Sequence, residues 1–279
     1  MQKLGINAIY FSPIFESDTH GYNTRDYYKI DTRLGTNDDF KKVVDELHKA
    51  DIKVVLDGVF NHTGDESIYF DKCRKYGNGA YANPDSPYRD WYSFEESGKY
   101  KSWWGIEILP KLNHNNDGCR KYFTASNGIG AKYVKEGIGG WRLDVADELS
   151  DRFLDEFREA VKGENPEALI IGEVWENAAD KIAYGNRRRY LRGRQLDSVM
   201  NYPFRKALLE FLTKSNGYEL ARSLREIYSS YPKCVCDSLM NIVGTHDTER
   251  ILTVLGDKNY GGMTNRQLSE HYMTKSEYE

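Results

Sequence analysis

Continuous apolar runs of strand length alternate with stretches of helical periodicity along this chain. INAIYFSP (6–13) and IKVVLD (52–57) are the first two runs, and others follow at 140–145, 168–174, 197–200 and 239–244. Uninterrupted apolar runs suit a parallel sheet covered on both faces. Between the first two, Phe40, Val43, Val44 and Leu47 fall on one helical face behind a cap at Thr36 or Asn37. Leu154, Phe157 and Val161 do the same behind Ser150. Further helix is expected near 118–136, near 177–190 and across roughly 203–230. Residues 63–116 break the rhythm. They are rich in Gly, Pro, Asn, Tyr and Trp, hold no sustained period, and are far longer than a usual βα connection. This stretch reads as an inserted subdomain at the C-terminal end of strand 52–57, dividing the α/β body into 1–62 and 117–279.

Six strands in regular βα alternation mean either a doubly wound sheet or a barrel. No Gly-rich phosphate loop follows the first strand, which counts against a nucleotide-binding sheet. The 279 residues match one large (β/α)8 barrel of the TIM type. Two of its eight strands are then unaccounted for.

Charge narrows the partners. With 39 basic and 43 acidic residues the net charge is −4, and nothing electrostatic favours nucleic acid or a membrane surface. No apolar run approaches the roughly 20 residues of a membrane helix. The start, MQKLGINAIYF, lacks a secretory pattern. Cys73, Cys119, Cys234 and Cys236 show no zinc spacing, and so few cysteines fit a reducing, cytoplasmic setting. Aromatics reach 13% of the chain; most suit a core, and some can stack on sugar rings.

The chemistry sits at the ends of the apolar runs. GGWRLDV carries Asp144, ALIIGEV carries Glu173 and MNIVGTHD carries Asp247. A carboxylate at the tail of a buried strand is costly without a task or a partner. Asp144 and Glu173 on neighbouring strands suit the roughly 5 Å spacing of a nucleophile and proton donor in retaining glycoside cleavage. Arg142 faces the same side two residues earlier and would keep Asp144 ionised. Ile170, Ile171 and Trp175 surround Glu173 in sequence, and desolvation there would help it hold a proton. Asp247, beside His246, can bind sugar hydroxyls. DGVFNH (57–62) adds Asp57, placed to brace Arg142, and His62, a donor to a sugar hydroxyl.

Four motifs in fixed order, DGVFNH, GGWRLDVADE, IIGEVWE and IVGTHD, resemble those of glycoside hydrolase family 13, the α-amylase family, over essentially the whole chain. The resemblance implies Asp144 as nucleophile, Glu173 as acid/base and Asp247 as transition-state stabiliser. It implies His62, Arg142, His246 and Arg250 as sugar ligands, and Tyr22 of HGYNTRDYY as the ring on which the reacting sugar stacks. LPKLN (109–113), VADE (145–148), Trp175 at the acceptor side and DSVMNYPFR (197–205) are similar to the neopullulanase and cyclomaltodextrinase group. Asp147 departs from that group's usual Asn. The implied substrates are maltooligosaccharides, cyclodextrins or pullulan, with glycosyl transfer open beside hydrolysis. No cofactor is required on this reading. Calcium stays open, because Asn61 matches a ligand position of some relatives but also suits a structural amide. A homodimeric parent enzyme is left open as well.

The predicted strands correspond to the second to seventh of the family's eight, so the chain reads as a catalytic-domain fragment. A catalytically silent, glucan-binding fragment and a glucanotransferase are the competing expectations.

Overall fold

The computed structural model describes residues 1–256, 263–264 and 266–267. Its centre is a parallel sheet of β1 (Ala8–Phe11), β4 (Lys53–Gly58), β5 (Gly140–Leu143), β6 (Leu169–Gly172) and β9 (Ser198–Val199). Spatial order follows chain order without reversal. A doubly wound sheet reverses at a switch point, so this order is that of a barrel wall.

The crossover helices form where periodicity placed them. Helix α1 (Asn37–Lys49) starts in a reciprocal capping box between Thr36 and Asp39. The expected helix at 118–136 is two, α2 (Asp117–Thr124) and α3 (Ile129–Lys135), capped at Asn116 and Gly128. The Ser150 hydroxyl caps α4 (Asp151–Glu164), and Phe153, Leu154, Phe157 and Val161 are its buried stripe. Helices α5 (Tyr202–Lys214), α6 (Gly217–Ser230), α7 (Lys233–Asp237) and α8 (Ile251–Leu255) complete the order.

Three expectations are corrected. No helix occupies 177–190. A hairpin, β7 (Ile182–Ala183) and β8 (Asn186–Arg187), stands there, turned by Tyr184 and Gly185 at φ 52° and 76°. Positive φ at both central positions is the hairpin turn geometry that Gly favours. The strand at 239–244 shrinks to one parallel bridge, Met200↔Met240. Its partner β9 ends early because Asn201 already caps α5, leaving residues 241–244 no backbone to pair with. Finally, residues after β1 form an unexpected antiparallel pair, β2 (Phe15–Ser17) with β3 (Thr24–Ile30). The polar C-terminal stretch from 265 lies, apart from residues 266 and 267, outside the described residues.

Residues 63–116 hold only single-turn helices, Arg89–Trp91 and Trp103–Gly105, and scattered bridges such as His62↔Lys111 and Tyr92↔Leu112. Their rings Tyr69, Phe70, Trp91 and Tyr92 join the buried cluster of Tyr27, Phe60, Phe123, Trp141 and Phe157. Among the described residues no helix is long and apolar enough to cross a membrane.

Strand backbones pack closely at Gly140. A Cβ there would stand 2.5 Å from the Leu169 carbonyl oxygen, a backbone atom that cannot rotate aside. Gly140→Ala is therefore expected to lower stability by about 1–3 kcal/mol through overpacking. A urea melt should show a lower midpoint at unchanged slope.

Candidate active site

Register assembles the site. Asp57 pairs with Arg142 across β4 and β5, and Leu143 pairs with Gly172 across β5 and β6. The ladder runs one residue further: Asp144 N–H donates to Gly58 O at 3.2 Å and Glu173 N–H to Leu143 O at 3.0 Å. Asp144 and Glu173 thus leave adjacent strands side by side, about 4.8 Å apart at the backbone.

Arg142 is fully buried and is the hub. Its Nη1 donates to Asp57 Oδ1 and Asp144 Oδ1, both at 2.8 Å. Its Nη2 lies 2.9 Å from Glu173 Oε2, but the N–H bonds point elsewhere and Nη2 makes no hydrogen bond. Asp57 Oδ2 accepts from the hydroxyls of Tyr10 and Tyr22, the latter at 2.9 Å. Asp57 therefore braces Arg142 as expected. Tyr10 is a member that sequence reading missed, although its place in a strand at the same period as Asp57 was a usable signal.

Three buried carboxylates share one guanidinium. Burial pushes the Asp144 carboxyl well above the usual carboxylate range; Arg142 opposes this, and Asp57 and Glu173 reinforce it. Burial also raises Asp57 against Arg142 and the Tyr10 hydrogen bond. Burial, with Asp57 next in weight, raises both tyrosine hydroxyls, so Tyr10 and Tyr22 stay neutral donors.

Glu173 is buried, but its surroundings are more polar than its sequence neighbours suggest. Oε1 accepts from the Trp175 indole at 2.9 Å and Oε2 from the Val145 N–H at 2.8 Å. Val145 holds that N–H in place from the left-handed region, φ 40°, ψ 58°. A β-branched residue there is strained. Trp175 is half exposed and stacks on Tyr202 with ring centroids 4.1 Å apart.

His62 is not free to donate to a ligand. Its Nδ1 accepts from Asn61 Nδ2 at 3.1 Å, which leaves the proton on Nε2, directed at Tyr22 O at 3.0 Å. Its ring also stacks on Trp103. Asn61 Oδ1 is buried without a hydrogen-bond partner. Among the described residues no three His, Cys, Asp or Glu side chains converge as metal donors.

Burial pulls His62 down to about 4, and His114, whose Nε2 donates to Phe60 O at 2.8 Å, to about 4 as well. A histidine held neutral when folded stabilises fully above its unfolded pKa of about 6.5 and loses that contribution as pH falls toward 4. The two imidazoles should therefore withdraw stability between pH 6.5 and 4, by on the order of 3 kcal/mol each. Urea melts across that window check it, with His114→Gln expected to flatten the profile.

The remaining expected ligands lie on the poorly paired segment. The His246 ring stacks on Tyr22 at 4.7 Å, covering one face of the ring expected to receive the sugar. Asp247 is exposed, 3.1 Å from His246 Nε2. Arg250 is exposed at the start of α8. A cavity of about 690 Å³ nevertheless brings Tyr22, His62, Asp144, Glu173, His246 and Asp247 around one space. Arg250 does not line it. A smaller cavity of about 200 Å³ opens beyond Glu173, lined by Trp104, Asp147, Glu148, Trp175, Lys181 and Tyr184 among others. Sequence reading missed the network at its floor, where Glu148 accepts from Trp104 Nε1 at 3.1 Å and from Tyr184 and Lys111.

Comparison with known proteins is consistent throughout. The model of the α-amylase catalytic domain matches residues 1–276. An amylopullulanase of Thermoanaerobacter thermohydrosulfuricus is 38% identical over 99% of this chain and 20% of its own length. Neopullulanase 2 of Thermoactinomyces vulgaris is 36% identical over 92% of this chain and 43% of its own. Among solved structures, the cyclic α-maltosyl-(1→6)-maltose hydrolase of Arthrobacter globiformis superposes with a TM-score of 0.80 at 34% identity, covering 90% of this chain and 56% of that one. The chain thus spans well under two thirds of these relatives.

Proposed function

The chain belongs to the α-amylase family, and from that premise we propose that Asp144 and Glu173 cleave α-glucosidic bonds with retention of configuration. The observation that carries this reading is the pair itself: two buried carboxylates on adjacent paired strands, both within reach of one guanidinium. Leaving adjacent strands and reaching one guanidinium, the two carboxyls are held close, as a retaining pair about 5–5.5 Å apart requires. Asp144 attacks the anomeric carbon while Glu173 gives a proton to the leaving oxygen. Glu173 then takes a proton from water, which attacks the glycosyl-Asp144 ester. Arg142, held by Asp57, fixes Asp144 in line. Tyr22, His246 and Asp247, which line the larger cavity, are assigned to the sugar, and Trp175 to the acceptor side. His62 lines the same cavity with its donor held by Tyr22 O, and Arg250 lies off it. The substrates are maltooligosaccharides, cyclodextrins or pullulan, in keeping with the names of the relatives, and transfer to a sugar acceptor runs beside hydrolysis.

Incubation with α-maltosyl fluoride, followed by NMR of the first product, tests this. Release of α-maltose is expected. β-Maltose, or no turnover, would overturn it. One observation favours a second reading, glucan binding without cleavage: Asp247 sits on a segment that pairs with the sheet only at Met240, and His246 covers Tyr22. Calorimetric binding of maltotriose with no product formed is its signature.

A further inference from the structure

The smaller cavity holds a departure from the family pattern together with its counterpart. Asp147 stands where the related group has Asn, and both its oxygens are engaged. Oδ1 accepts from the Tyr190 hydroxyl at 2.6 Å, and Oδ2 lies 3.1 Å from Lys181 Nζ. Lys181 also donates to Glu176 Oε2. An amide at 147 could still accept from Tyr190 but would turn N–H groups toward the ammonium, so the acid and the lysine belong together.

The lysine is held but not used up. Its side chain is 13% exposed, lines the cavity, and sits on the loop entering the β7–β8 hairpin. An ammonium has three donors, and Asp147 and Glu176 take two. Among the described residues lining this cavity it is the one cation. Burial works against its charge, yet Glu176 and Asp147 outweigh that and its pKa moves up. The cavity's position gives the third donor a task. Glu173 lines both cavities, whereas Asp144 lines the larger one alone. The two spaces meet at Glu173, Trp104 and Trp175, and on the retaining reading the smaller one, which Glu173 lines and Asp144 does not, is where the departing sugar sits.

The geometry points to Lys181, anchored by Asp147 and Glu176, as a specificity-determining residue that binds a hydroxyl of the departing or accepting sugar. This rests on the retaining reading above for which side of Glu173 the leaving group occupies.

Two substrates separate the possibilities. Maltotriose places a sugar in the smaller cavity, whereas α-maltosyl fluoride places only fluoride near it. Lys181→Met is expected to lower kcat/KM for maltotriose about tenfold, mainly through KM, as loss of one charge-assisted hydrogen bond implies. Fluoride turnover should change less than twofold, and Lys181→Arg should recover most of the loss on maltotriose. An equal fall on both substrates would make Lys181 a structural ion-pair partner and overturn the proposal, as would no fall on either. If the wild-type chain turns over neither substrate, the retaining reading fails instead. Lys181 is then judged by calorimetry: maltotriose binding about tenfold weaker in Lys181→Met supports the assignment, and equal affinity rejects it.

Discussion

Asp144→Asn is expected to reduce turnover of α-maltosyl fluoride by at least on the order of 10⁴-fold, as loss of a nucleophile does elsewhere, while leaving the melting temperature unchanged or higher. The two halves share one cause. Asp144 is buried beside Asp57 and Glu173, and burial raises its pKa in the folded state. A carboxyl that ionises less readily folded than unfolded takes stability away as pH climbs from its unfolded pKa through its folded one. Above that window the fold carries the full cost of the charge. The amide has none to carry, and it still fits beside Arg142 Nη1, accepting through its oxygen. The stability advantage of Asp144→Asn should therefore be larger at pH 8 than at pH 5. Parallel thermal melts and fluoride-release assays measure both halves. A variant that keeps a tenth of the activity, or melts well below wild type, contradicts the assignment.

Arg142→Met should have the largest effect on folding. Among the described residues Arg142 is the cation in ion-pair reach of Asp57, Asp144 and Glu173 together. Its loss leaves three buried carboxylates facing one another. Removing one partner of a buried pair costs about 3–5 kcal/mol, a large share of the 5–15 kcal/mol that holds a typical domain. Burial already raises the Asp57 and Asp144 carboxyls, so the deficit should shrink as pH falls and those two take up protons. Urea melts at pH 5 and pH 7 should show the smaller loss at pH 5. Arg142→Lys keeps the charge but replaces a fork by a point, so it should fall between. A methionine variant as stable as wild type at pH 7 would show that Arg142 is not what holds the cluster.

How much of this was readable in the chain depended on the range of the interaction. The sheet was legible because buried parallel strands have few ways to look other than VVL or LII. Helix starts at Thr36 and Ser150 were legible because a cap is a local bond. That Asp57, Arg142, Asp144 and Glu173 meet at neighbouring strand ends was legible from period and strand position. The failures were of two kinds. Local turn chemistry was overlooked at Tyr184–Gly185, where a hairpin replaced an expected helix. The rest required knowing what lay opposite. Nothing near Met240 in sequence tells that its partner strand stops at Met200. Likewise nothing within VADE announces that Glu148 meets Trp104 and Lys111, or that Asp147 meets Lys181.

Val145 carries a consequence for anyone selecting hardier versions of this chain. Its left-handed backbone suits glycine, and Val145→Gly would relieve a strain of about 1–3 kcal/mol. Its immediate neighbour Asp144 is also a position where a blander residue would settle the fold. A library screened for heat resistance alone would thus collect its gains around one strand end. The hits would fall beside the carboxylate proposed as nucleophile, so heat resistance and the proposed chemistry would be selected against each other.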